Sequence, residues 1–129
     1  MTFILVPSAG EDLQVNAWTW RPTLELLRTT NVINEDDYER MGTQGCGGRV
    51  NAELASRIAD IVAHKLIGMK PGERLLADLS VSAEHKKLIV FEPNIKVDDI
   101  DVVNLYSARY EWLESFAEFC RNSGGFDVM

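Results

Sequence analysis

Apolar positions recur along this chain at two spacings. In Phe3–Val6 they are contiguous, which predicts a short strand, and Ser8–Asp12 reads as a turn after it. From Pro22 the leucines at 24, 26 and 27 form one side of a segment whose other side carries Glu25 and Arg28, which predicts a helix from Pro22 to Thr30. Pro22 suits the first turn of such a helix, because its missing N–H has no bond to lose there. Trp18 and Trp20 then fall on extended chain leading in, where alternate residues share a face, so both rings are expected on one surface.

A second short helix is predicted in NEDDYERMG, with Asn34 as N-cap, acids in the first turn and Gly42 at its end. After TQGCGGRVN, the residues Leu54, Ile58, Ile61, Val62 and Leu66, with Ala55 and Ala59, make a broad helical stripe over Val50–Ile67. Asn51 can cap that helix, and Gly68 ends it before a Pro71-Gly72 turn. ERLLADLSVS fits either a helix or a strand. KKLIVFEPNIKV has the β-branched and aromatic content of a strand, Leu88–Phe91, broken near Pro93. Near the end, Tyr110, Leu113, Ala117 and Cys120 lie in one stripe, with Trp112, Phe116 and Phe119 beside it. This predicts a central helix over Ser107–Asn122, with Ser107 as N-cap, a stop at Gly124-Gly125, and Phe126 folded back on its last turn. The pattern as a whole predicts one α+β domain, mainly helical with a few short strands, over residues 1–129.

Length and charge narrow the reading. A chain of 129 residues with 46% hydrophobic and 26% charged residues has the composition of one globular core. The net charge of −7 comes without a basic stripe, which argues against nucleic acid and anionic membranes and is compatible with a basic protein partner. The apolar run at the start is too short for a signal peptide or a membrane span, so a cytoplasmic protein is expected. The two cysteines, Cys46 and Cys120, suggest no disulfide framework.

Three places carry candidate chemistry. Trp18, Trp20 and Arg21 could be an aromatic platform with a guanidinium to grip a carboxylate; the stronger reading is an anchor that plugs the core. If buried between the rings, Arg21 needs a partner such as Glu114 or Glu118. The glycine loop at 45–49 precedes a helix start where backbone N–H groups and Arg49 could hold an anion, although it matches no phosphate-loop spacing. Cys46 in that loop could be a nucleophile, but neither histidine, His64 or His85, is placed by the sequence as its base. Asp98, Asp99 and Asp101 lack the spacing of a calcium loop, and no Cys/His spacing suits zinc. No catalytic residue, metal ligand or cofactor is assigned.

Asn16, Trp18, Trp20, Arg21 and Pro22 form an N-x-W-x-W-R-P motif. Trp112, Phe116, Phe119, Cys120, Ser123, Gly124, Gly125 and Phe126 form W-x3-F-x2-F-C-x2-S-G-G-F. With the GCGG before the long helix, they resemble a family of small uncharacterised bacterial proteins. The resemblance covers the first half and the last quarter of the chain, leaves Glu73 to Val103 unmatched, and implies a defined domain with no activity attached. The resulting expectation is a non-enzymatic protein-interaction module, immunity-type or regulatory. The alternative is a binder of small anionic ligands, or an enzyme, using the glycine loop at 45–49.

Overall fold

The structure is a computed structural model and describes residues 2–43, 47–83 and 106–129. Its first strand, β1 (Thr2–Pro7), turns back at once into β2 (Leu13–Asn16). The chain then enters α1 (Ala17–Thr29) and α2 (Glu35–Gly42). Next come β3 (Gly48–Asn51) and the long helix α3 (Ala52–Ile67). The hairpin strands β4 (Arg74–Leu76) and β5 (Val81–Ser82) follow. The last run is β6 (Ser107–Arg109), α4 (Tyr110–Ser123) and β7 (Gly125–Val128). This is a small α+β arrangement, as the pattern of apolar positions predicts.

The strands form two antiparallel sheets, one ordered β2-β1-β7-β3 and the other β5-β4-β6. Register explains which face of the larger sheet is buried. Phe3 sits opposite Val15, Leu5 opposite Val128, and Val50 opposite Phe126, and all six are buried. Residues alternate in orientation along a strand, so Arg49 and Asp127, directly opposite each other, fall on the outer face. In the smaller sheet Leu75 and Ala108 are opposite and fully buried, and the neighbouring register pair is Arg74 with Arg109.

Helices α3 and α4 pack closely on one another, and both meet the larger sheet through β7. Their shared core holds Ile58, Ala59 and Val62 from α3 with Leu113, Phe116 and Cys120 from α4. Rings link it to α1: Trp20 meets Phe116 edge-on at 5.6 Å, and Phe116 meets Phe126 at 6.3 Å. Gly125 makes the close approach of β7 to β3 possible. Its φ of +103° suits glycine, and a Cβ there would stand 2.7 Å from the Val50 carbonyl oxygen.

The elements written in local signals come out where expected. Asn34 and Asn51 cap α2 and α3, accepting from Asp37 N and Leu54 N at 2.8 Å each. ERLLADLSVS is a hairpin. Phe126 does meet the end of α4, 5.4 Å from Phe119, but as part of a strand. Three expectations need correction. Helix α1 starts at Ala17 and not at Pro22, because Asn16 caps it by accepting from Thr19 N at 2.9 Å; Pro22 lies inside the helix. Ser107 does not cap α4. It pairs with Leu76 in β6, and α4 begins after Arg109 without a side-chain cap. The glycine-rich stretch leads first into β3, with α3 only after it. The predicted strand Leu88–Phe91 and the acidic run at 98–101 lie outside the described residues.

Candidate functional site

The corrected start of α1 decides what the two tryptophans do. Residues two apart on a helix point about 200° from each other, so Trp18 and Trp20 cannot share a face. Trp20 is 1% exposed and Trp18 is 49% exposed. The expectation that both rings pack on one surface fails for this reason. Trp20 is the anchor. Its indole Nε1 donates to the Met41 carbonyl at 2.9 Å in the interior, and its ring lies 6.3 Å from Phe3 and 6.3 Å from Trp112. The polar end of the indole is thereby satisfied while the ring fills the core.

Trp18 and Arg21 stand on the outside of α1, three positions apart and therefore neighbours on its surface. Tyr106 joins them from the residue before β6. Its ring centroid is 4.7 Å from that of Trp18, and the Arg21 guanidinium carbon lies 4.9 Å from the Tyr106 centroid. Arg21 thus stacks on an aromatic face. It is exposed, and it forms no ion pair with Glu114 or Glu118, so the carboxylate partners expected of a buried arginine are not used. Beside this patch, a cleft of about 320 Å³ opens between α1 and α2, walled by Phe3, Trp20, Leu24 and Tyr38 and edged by Arg21 and Glu39.

Tyr38 is held in place from α1. Its hydroxyl donates to Glu25, which also takes a hydrogen bond from Arg28 Nη2 at 2.5 Å. Burial, then the bond to Glu25, raises the Tyr38 phenol above its ordinary range. The acids of α2 are mostly on the surface. Glu35 and Asp36 face Arg28 and Arg40, whereas Asp37 and Glu39 make no ion pair among the described residues.

Arg49 is engaged within the fold. Nη1 donates to Asp127 at 3.1 Å and Nη2 to the Ser8 hydroxyl at 3.2 Å. The first turn of α3 is already capped by Asn51. Gly45 and Cys46 lie outside the described residues, as does His85. Cys120 is buried in α4, and desolvation drives its thiol far above the ordinary range, so it is a small core residue and an unreactive one. Among the described residues, no cluster of three or more His, Cys, Asp or Glu side chains could hold a metal, and no helix is long and apolar enough to cross a membrane.

Tyr106 belongs to the exposed patch yet has no sequence signal, since it reaches α1 through the packing of β6 on that helix. What the fold and the patch define is a small α+β domain with an aromatic and guanidinium surface at the start of one helix. Comparison with known protein families, curated proteins and solved structures finds no match.

Proposed function

We propose that this chain is a non-enzymatic protein-interaction module, and that its contact patch is Trp18, Arg21 and Tyr106. The supporting observation is a tryptophan left 49% exposed while packed against a tyrosine that also carries an arginine. Trp, Tyr and Arg are the residue types that dominate binding energy in protein interfaces, and they do so when clustered. The adjoining cleft has apolar walls that suit an inserted side chain from a partner. Glu39 edges the cleft, and the whole chain carries −7, so the partner of this reading is basic where it meets α2. An immunity-type or regulatory role fits such a module.

The alternative centred on 45–49 has weaker support, because Arg49 already has a carboxylate and a hydroxyl and α3 already has its cap. The test is capture of partners from native cells on the tagged protein, with Trp18→Ala, Arg21→Ala and Arg49→Ala run in parallel. A stoichiometric basic protein should be retained by the wild type and by Arg49→Ala, and lost with Trp18→Ala and Arg21→Ala. Equal retention by all four chains, or no retained protein from a folded bait, would overturn the proposal.

A further inference from the structure

A second feature lies on the other side of Trp18. The register of the smaller sheet sets Arg74 directly opposite Arg109 on adjacent antiparallel strands. Residues so placed have Cβ atoms about 5 Å apart, and like charges there repel. Neither guanidinium has a carboxylate within ion-pair distance among the described residues. Arg74 is half-buried and donates to the Ser107 hydroxyl at 3.0 Å; burial first, and Arg109 next, lowers its hold on its proton. Glu111 is the described acid that acts on Arg74, and its Oε1 accepts from Gly72 N at 3.2 Å. Two cations thus share one face of the sheet, and neither has an ion pair among the described residues.

Arg109 is exposed, and Arg74 is half-buried beside it. A groove of about 490 Å³ takes in both, bounded by the first turns of α1 and α4 and lined by Trp18, Thr19, Arg74, Arg109, Glu111, Trp112 and Ser115. That volume lies within the range of small-ligand sites. Helix α4 starts there with no side-chain cap, so the positive end of its dipole adds to the two arginines, against the one negative charge of Glu111 in its first turn. The indole of Trp112 is half-buried, packed on Phe116 at 5.0 Å, which gives the groove a rigid aromatic wall.

We infer that this groove binds a small ligand carrying an oxyanion, a carboxylate or a phosphate, seated between Arg74 and Arg109 with its remainder against Trp112 and Trp18. Planar guanidinium groups match both oxyanions in bidentate geometry, and the serine and threonine hydroxyls supply further donors. A bound anion also removes the repulsion that the register imposes, so binding and stability are coupled.

The test uses the whole chain and four probes: inorganic phosphate, phenyl phosphate, citrate and benzoate, each against sodium chloride at equal ionic strength. Thermal unfolding and tryptophan fluorescence are followed. At least one probe should raise Tm in a saturable way and change the emission. Arg109→Gln and Arg74→Gln should each weaken that binding tenfold or more, while Arg49→Gln, on the other sheet, should leave it unchanged. Saturation by the phosphates alone assigns a phosphate ligand, and by the carboxylates alone a carboxylate; either supports the inference. No response beyond chloride, or undiminished binding in Arg109→Gln, overturns it. Arg109 lies outside the Trp18–Arg21–Tyr106 patch, so partner capture by Arg109→Gln separates a failure here from a failure of the interaction reading.

Discussion

Arg49 and Arg109 occupy the same kind of position and meet opposite fates. Each stands on an antiparallel strand directly opposite a charged residue. Across from Arg49 is Asp127, at 3.1 Å between the charged groups; across from Arg109 is Arg74. The larger sheet therefore closes its own electrostatics, and the smaller one leaves two positive charges beside a groove. The same split runs through the tryptophans of α1. Trp20 completes the core on the side of the larger sheet, and Trp18 is presented to solvent on the side of the smaller. Self-sufficient contacts mark scaffold; unsatisfied ones mark where the proposed partner and the proposed anion would bind.

The sharpest way to break this comparison is to truncate both indoles. Trp20→Ala removes a buried ring and leaves the Met41 carbonyl without its donor, so a loss of about 3–5 kcal/mol is expected in denaturant unfolding. Trp18→Ala should change stability by about 0.5 kcal/mol or less, the range of ordinary surface substitutions. Comparable losses for the two would show that Trp18 belongs to the core. Gly125→Ala comes next. Its left-handed backbone, and the 2.7 Å at which the added Cβ would meet Val50 O, should cost about 2–3 kcal/mol, and the damage should show as faster amide exchange in β3 and β7 before α1.

Cys120 tests the depth of the scaffold through pH. Its thiol ionises near 9.0 when unfolded and is pushed above that by burial when folded. The unfolded chain therefore loses this proton first as pH rises. The contribution is intact below about pH 9 and declines above it, by about 1.4 kcal/mol per pH unit until the folded thiol also ionises. Tyr38, raised from 10.0, adds a loss of the same sign further up the scale. Cys120→Ala should flatten the alkaline decline measured by urea titration at pH 8 to 10.5. In a Cys46→Ser background, Cys120 is the one remaining thiol of the chain, and it should react with a disulfide reagent only at the rate of unfolding. Rapid labelling at neutral pH would place it outside the core.

Local chemistry was readable in advance, and register was not. Asn34 and Asn51 were visible as caps because a cap needs only the residues three positions on. The apolar stripes of α3 and α4 announced themselves by spacing alone. The sequence does not single out Asn16 as a cap because Pro22 points to a later start, although a proline within the first two turns still leaves most of the helix ladder intact. From that one misplacement followed the wrong faces for Trp18 and Trp20. Strands β3, β6 and β7 are three or four residues long, and long-range pairing makes them strands. So the opposition of Arg74 to Arg109, 35 positions apart in the chain, had no trace in the sequence. Tyr106 reaches α1 through the packing of β6 on that helix.

The smallest expected effect returns to the two arginine positions and reads their sign. Opposite-charge and like-charge pairs across antiparallel strands differ by about 0.2–1 kcal/mol in either direction. Arg49→Gln gives up the bond to Asp127 and should destabilise within that range. Arg109→Gln relieves Arg74 and should stabilise within it, provided that phosphate and carboxylate buffers are excluded. Both shifts should shrink as sodium chloride rises from 20 mM to 1 M, roughly the span over which screening contracts from tens of ångströms to a few. Opposite signs at low salt, converging at high salt, would mean that sheet register alone decides which arginine is structural and which is available. A loss of stability in Arg109→Gln under those conditions would mean instead that Arg109 has a counter-charge within the fold, and the groove would then have no need of an anion from outside.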